Sequence, residues 1–390
     1  MKFIVASDDE ILRGEATDIY FLRTKKILER EGLEGVRVRA EVHAYGLPRG
    51  YNWAVLAGVD EALKLFEGRS VDVYAMEEGT VFRALQPLVL IEGPYSEFVE
   101  LETSLLGMLR FYTSIATKAA RIKKAAGEKT VLFFGLRCVH PIVQPAVDRA
   151  ALIGGVDGVS GALSRKYNEV EPVGTMPHSL VIVLGGVERA AEAFDKHVEP
   201  EVPRIVLVDT FLDEREEALR AARTLGERLS GVRLDTPSSR RGDMRRIVEE
   251  VRWALRLEGF ERVKIFVSGG IDEEEAAGLR DLVDGFGVGT SIAFPPSVDI
   301  SMDIVEVMEG GAWRPRTKRG KLPGARQVYR CSVNEDHVVR WGASAPECSD
   351  GTSPEPLLKP AVMRGRIVRT PRPLAEVRKR VLAQLSQLSL

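Results

Sequence analysis

The feature that most constrains this chain is a repeat from residue 131 to residue 288, in which short apolar runs are each followed by a helical stretch. The runs are 131–135 (VLFFG), 157–160 (DGVS), 205–209 (IVLVD), 231–235 (GVRLD), 263–268 (VKIFVS) and 284–288 (DGFGV), with a weaker one near 173–176. Between them lie a helix ending at about 153 and others near 161–167, 188–197, 213–229, 243–258 and 272–281. A helical crossover returns each strand in the same direction, so such units pair in parallel. Six or seven of them predict an α/β fold with an irregular, even incomplete, β/α barrel. An open doubly wound sheet is the alternative.

The flanks read differently. In VRVRAEVHAY (36–45), Val36, Val38, Ala40, Val42 and Ala44 alternate with Arg37, Arg39, Glu41 and His43, the pattern of a half-buried strand. Strands at 71–76 and 87–91 and a helix near 54–66 complete an N-terminal α+β domain. Apolar residues from Phe98 to Ile122 recur at helical spacing, giving a long linking helix over 97–125. The expected domains are 1–110, the barrel at 111–295, and 296–390, which returns to the first domain. That last part holds a small module at 330–365 and an amphipathic helix at 373–388 that packs on its own protein.

Charge excludes some functions. The 55 basic and 57 acidic residues give a net charge of -2, which argues against nucleic acid as a partner. Asp8, Asp9 and Glu10 interrupt any signal-like apolar start, and no membrane-spanning run occurs. Cys138, Cys331 and Cys348 form no disulfide framework, so a reducing, cytoplasmic setting is expected. Asn52, Asn168 and Asn334 are the only asparagines beside abundant Arg and Glu, a bias also met in proteins from hot environments.

The unusual polar residues are expected just after strands: FGLR (134–137), DGVS, VDT (208–210), RLDT (233–236), SGG (268–270) and GVGT (287–290). In a barrel that rim is the active-site face. SGG and GVGT follow the last two strands, where bare backbone can hold phosphate; the plain alternative is a pair of tight turns. Arg233 and Asp235 leave one strand two residues apart and so point the same way. They offer a cation for phosphate and a carboxylate for a sugar hydroxyl or Mg²⁺; an ion pair capping the barrel is the alternative. His178, in GTMPHS (174–179), lies in a stretch too broken for an ordinary helix, and Asp209 is a candidate to orient it. His43, His140, His197 and His337 are read as satisfied polar side chains. Phe134 and Arg137 share a strand end, where a flat aromatic acid could stack on one and pair with the other.

In order, LETSLLGMLRFYTSIATKAARI (101–122), FGLR, GGVDGVS, GTMPHS, VDTF, GVRLDTPSSRRGD (231–243), VSGG, GVGT and KRGKLPG (318–324) resemble the nicotinate phosphoribosyltransferase family across residues 10 to 330. The resemblance implies synthesis of nicotinate mononucleotide and pyrophosphate from nicotinate and phosphoribosyl pyrophosphate, usually with ATP hydrolysis and Mg²⁺. It implies that His178 is phosphorylated by ATP with Asp209 orienting it. Phe134 would stack on the pyridine ring, Arg137 would meet substrate, and Arg233 and Asp235 would hold the ribosyl part. Thr175, Ser268, Gly269, Gly270, Gly287, Gly289 and Thr290 would line the substrate site, with Gly270 and Gly289 against phosphate. ATDIY (16–20) resembles the segment that carries a stacking tyrosine across a dimer interface, so Tyr20 would act in the neighbouring subunit of a homodimer. Cys331 and Cys348 lack the paired spacing of a zinc knuckle, so no structural zinc is expected.

Three rivals stand. Quinolinate would need more cations than FGLR supplies. Nicotinamide would suit Asp157, which accepts an amide N–H but repels a carboxylate unless turned away. A catalytically inactive nucleotide-binding barrel would bind without releasing pyrophosphate.

Overall fold

The computed structural model describes residues 3–237, 239–240 and 242–390, so Ser238 and Arg241 of the PSSRRG stretch lie outside the described residues. Two compact units emerge: residues 1–117 with 296–390, and 118–295.

In the second unit the strands are β1 (Thr130–Phe133), β2 (Gly158–Val159), β3 (Ile205–Leu207), β4 (Gly231–Leu234), β5 (Lys264–Ser268) and β6 (Gly285–Val288). They pair in parallel in the order β2-β1-β6-β5-β4-β3. This is a barrel order broken between β2 and β3, a curled half-barrel. The seventh strand expected near 173–176 does not form among the described residues; Val173 N–H reaches back to Val159 O at 2.8 Å. The helices of this unit include α1 (Gln144–Ile153), α2 (His178–Leu184), α3 (Val187–His197), α4 (Glu214–Leu225) and α5 (Met244–Leu257). Two readings change here. His178 opens a helix directly after Pro177, although Gly174 to Pro177 is irregular as expected. DGVS does not follow a strand but contains β2, which puts Asp157 at the N-terminal end of the sheet. There it accepts from Lys123 Nζ at 2.7 Å and Val131 N–H at 2.8 Å.

The first unit is built on a seven-stranded antiparallel sheet in the order Ala312–Pro315, Asp299–Glu309, Arg37–Gly46, Pro87–Pro94, Asp72–Ala75, Lys359–Met363 and Arg366–Ile367. Val38, Ala40, Val42 and Ala44 face its core. The opposite face is not solvated: Glu41 is fully buried against Arg326, and His43 lies 3.5 Å from Asp303. The C-terminal helix, Leu374–Leu385, buries Val377, Val381 and Leu385, and its Gln384 Nε2 donates to Gly79 O at 2.8 Å. No helix among the described residues is long and apolar enough to cross a membrane.

Residues 326–356 form a three-stranded sheet from Arg326–Ser332, Glu335–Arg340 and Glu355–Pro356. Here the cysteine reading is corrected: Cys331 and Cys348 are joined in a disulfide, leaving Cys138 free. Their spacing resembled no framework, but the sheet brings their Cα atoms to 5.5 Å, a normal bridging distance. Glu335 and His337 lie within 4.8 Å of the Cys331 sulfur, which the disulfide already occupies. The bridge closes a loop with a sequence separation of 17. Loop-closure entropy for that length amounts to about 3 kcal/mol. Melting the protein with and without a strong thiol reductant is expected to show a lower midpoint when reduced; identical midpoints would mean the bridge carries no stability.

Candidate active site

Strand ends in a parallel sheet splay their following residues toward one rim, and the second unit uses that rim. A cavity of about 520 Å³ opens there. Ten of the residues anticipated from sequence line it: Phe134 and Arg137 after β1, Arg233 and Asp235 from β4, Ser268, Gly269 and Gly270 after β5, and Gly287, Gly289 and Thr290 at β6. The sequence reading missed Cys138, Ile271, Asp272 and Ser291 in the lining. Each adjoins a motif that was noticed, so position relative to a strand end was the available signal.

The cationic side is Arg233. Its guanidinium carbon lies 5.7 Å from the Phe134 ring centre, and a terminal nitrogen is 3.8 Å from Asp235 Oδ2. Burial pulls its pKa down, while Asp235 and Asp209 pull the other way. Its Nε is buried without a hydrogen-bond partner among the described residues. Asp235 is anchored by Ser268, whose hydroxyl donates to Oδ1 at 2.7 Å.

Glycine is required at specific points. Gly269 and Gly270 adopt φ of +85° and +77°, a region costly for side chains. Gly287 has another role: a Cβ there would sit 2.8 Å from the Phe134 ring. Its bareness makes room for the aromatic ring, in addition to exposing backbone to the cavity.

His178 stands beside the cavity wall. Its Nε2 is 3.6 Å from Asp235 Oδ2 and 3.7 Å from Asp209 Oδ1, and its Nδ1 is 3.1 Å from Thr210 Oγ1. Asp209 Oδ2 accepts from Asp235 N–H at 3.2 Å and lies 3.3 Å from the Thr236 hydroxyl oxygen, which bonds Glu214 more closely. Burial raises the Asp209 pKa to about 6, with His178 opposing and Asp235 adding to the rise. The expected pairing of residues 178 and 209 is therefore a close approach, with Thr210 making the shorter contact.

Two other anticipated residues are not among those that line the cavity. Thr175 is not in the cavity lining; its hydroxyl lies 3.5 Å from Met176 O. Tyr20 belongs to the first unit, where it is exposed on the helix Ile19–Arg30 with its hydroxyl 3.4 Å from Asp18. Asp157 is at the far end of its strand from the rim, so its carboxylate does not face the cavity.

Comparison with known proteins agrees with this architecture. Sequence models of the quinolinate phosphoribosyl transferase N-terminal and C-terminal domains match residues 18–113 and 115–303. A solved structure titled nicotinate-nucleotide pyrophosphorylase from Pyrococcus furiosus is 50% identical, covers 100% of both chains and superposes with a TM-score of 0.96. Nicotinate phosphoribosyltransferase pncB2 of Mycobacterium tuberculosis is 33% identical over 76% of this chain, which spans only 64% of that relative's length. The nicotinate phosphoribosyltransferase of Bacillus subtilis is 28% identical over 82% of this chain and 74% of its own. Matched across both domains, this chain belongs to the nicotinate phosphoribosyltransferase family within the fold class of the quinolinate enzymes.

Proposed function

We propose that this phosphoribosyltransferase joins nicotinate to the ribose of phosphoribosyl pyrophosphate, releasing nicotinate mononucleotide and pyrophosphate as a step of NAD salvage. The observation that carries the reading is one cavity combining an aromatic face, two guanidinium groups and two glycine turns. The pyridine ring would stack on Phe134, with its carboxylate toward Arg137, while Arg233 would hold the ribosyl part. Gly269, Gly270 and Gly289 leave backbone open to the phosphates. As the bond from ribose C1 to pyrophosphate breaks and the pyridine nitrogen takes its place, carbon gains positive and pyrophosphate negative charge. Asp235 suits the first and the guanidinium groups the second.

The substrate choice follows from charge. Among the described residues, Arg137 and Arg233 are the cationic side chains in the cavity lining, which matches one substrate carboxylate beside the phosphates better than the two of quinolinate. Asp157, the residue best suited to an amide, is occupied by Lys123 and Val131, which favours nicotinate over nicotinamide.

Mg²⁺ and ATP fit the residues at His178. Asp209 Oδ1 is buried with no hydrogen-bond partner among the described residues, and Asp235 stands across the same imidazole nitrogen. Such a carboxylate pair is a donor set that Mg²⁺ shares with phosphate oxygens. Asp209 and Asp235 would hold the ion, which would neutralise phosphate charge. His178 would take the γ-phosphoryl group of ATP. Tyr20, exposed on its own unit, would complete the site of a neighbouring subunit in a homodimer. A cytoplasmic setting is compatible with the disulfide, because intracellular proteins of hyperthermophiles carry such bridges.

The test is pyrophosphate release with nicotinate, nicotinamide or quinolinate, each with and without ATP. Turnover is expected with nicotinate and stimulation by ATP; turnover of quinolinate alone would reverse the assignment. Gly287→Ala forces the Phe134 ring to shift, an overpacking cost of about 1–2 kcal/mol, and is expected to raise the KM for nicotinate about tenfold. Steady-state kinetics checks it, and an unchanged KM would remove Phe134 from the stack.

A further inference from the structure

The turn after β3 carries both Asp209 and Thr210, yet little apolar burial fixes it: Phe211 and Leu212, its next residues, are exposed. Hydrogen bonds do the fixing instead. The carboxylate of Glu217, in α4 and 1% exposed, accepts three consecutive backbone N–H groups. Thr210 N–H reaches Oε2 at 2.9 Å, and Phe211 and Leu212 N–H reach Oε1 at 2.9 and 3.2 Å. One turn earlier on the same helix, Glu214 bonds the Thr236 hydroxyl, which also contacts Asp209. The start of α4 thus grips both partners of the imidazole.

We propose that Glu217 and Thr210 are positioning residues for His178. Glu217 fixes the turn, and the Thr210 hydroxyl, 3.1 Å from Nδ1, takes that ring nitrogen and leaves Nε2 toward Asp209 and Asp235. Neither lines the cavity; both act on the imidazole beside it, Glu217 by holding the turn and Thr210 by giving Nδ1 a hydrogen-bond partner that sets the rotation of the ring. A carboxylate placed merely to close a loop would satisfy the same N–H groups without bringing a hydroxyl to the histidine. Part of the consequence, the effect on phosphorylation, rests on the reading that ATP phosphorylates His178; the effect on the ring does not.

The experiment uses the full chain with Thr210→Val, Thr210→Ser and Glu217→Gln. Nitrogen NMR reads the His178 tautomer, and radiolabelled ATP with Mg²⁺ reads the rate of phosphoryl transfer to protein. Wild type is expected to hold one predominant tautomer. Thr210→Val and Glu217→Gln are expected to lose that preference and to label about tenfold more slowly, the cost usual for removing a group that orients a functional histidine. Thr210→Ser is expected to restore both. Tautomer populations in Thr210→Val matching wild type would overturn the proposal. Should Glu217→Gln fail to fold, Thr210→Val, which removes only the hydroxyl, decides alone. Should wild type take no label, the phosphohistidine reading falls, and the tautomers still decide the positioning claim.

Discussion

Asp235→Ala is expected to lower kcat about 10²–10³-fold, the usual loss when a preorganised charge is removed from a reacting centre. Its melting midpoint is expected to move by no more than about 3 °C, equivalent to about 1 kcal/mol. The expectation follows from what the carboxylate touches. Oδ2 faces Arg233 and His178 at 3.8 and 3.6 Å, and Oδ1 accepts from Ser268. None of these contacts closes the core, and the Ser268 hydroxyl keeps a second acceptor, Leu234 O at 3.4 Å. Asp235→Asn separates charge from shape, since the amide oxygen still accepts from Ser268 but offers a developing positive charge little. It is expected to lose nearly as much turnover as alanine. Pyrophosphate release and thermal melting measure the two quantities; a large fall in melting temperature with normal turnover would make Asp235 a structural ion-pair partner instead.

The rim was legible because parallel β-α units obey strong rules. Once strands end at Phe133, Leu207, Leu234, Ser268 and Val288, the residues immediately after them share one edge. That logic brought Phe134, Arg233, Asp235 and the glycine turns to one cavity. It misplaced Asp157 because DGVS was grouped with the motifs that follow strands, whereas β2, only Gly158–Val159, lies inside it and Asp157 precedes the strand. Thr210 and Glu217 were missed for a different reason. A carboxylate in an amphipathic helix reads as solvent-facing, and only the backbone amides of the preceding turn explain why this one is buried.

Long-range pairing was the other limit. In 36–45 the alternation is real, but Glu41 and His43 look solvent-facing because their partners, Arg326 and Asp303, are hundreds of residues away. Likewise the sparse cysteines carry no sequence signal of pairing; the hairpin Arg326–Ser332 with Glu335–Arg340 and the loop beyond it bring them together. The disulfide also withdraws the cysteine argument for a reducing compartment.

His178→Ala is expected to abolish labelling of the protein by ATP, a loss of at least about 10³-fold as for other nucleophile removals, and with it the stimulation of synthesis by ATP. Synthesis without ATP is expected to fall much less, because Arg233, Phe134 and the glycine turns line the cavity without the imidazole. Asp209 supplies a pH signature. Burial raises its pKa to about 6, so lowering the pH through that value removes a negative charge 3.7 Å from Nε2. Labelling should decline over that range, and Asp209→Asn should flatten the decline at a low rate. The stability effect has the opposite sign. A carboxyl with a folded pKa above its model value of 3.8 favours folding less as pH rises from about 4 to about 6, since the unfolded chain ionises it more readily. Asp209→Asn is therefore expected to melt no lower than wild type at neutral pH while labelling poorly. Persistent labelling of His178→Ala would assign the phosphoryl acceptor to another residue; a destabilised Asp209→Asn would instead give that carboxylate a structural role.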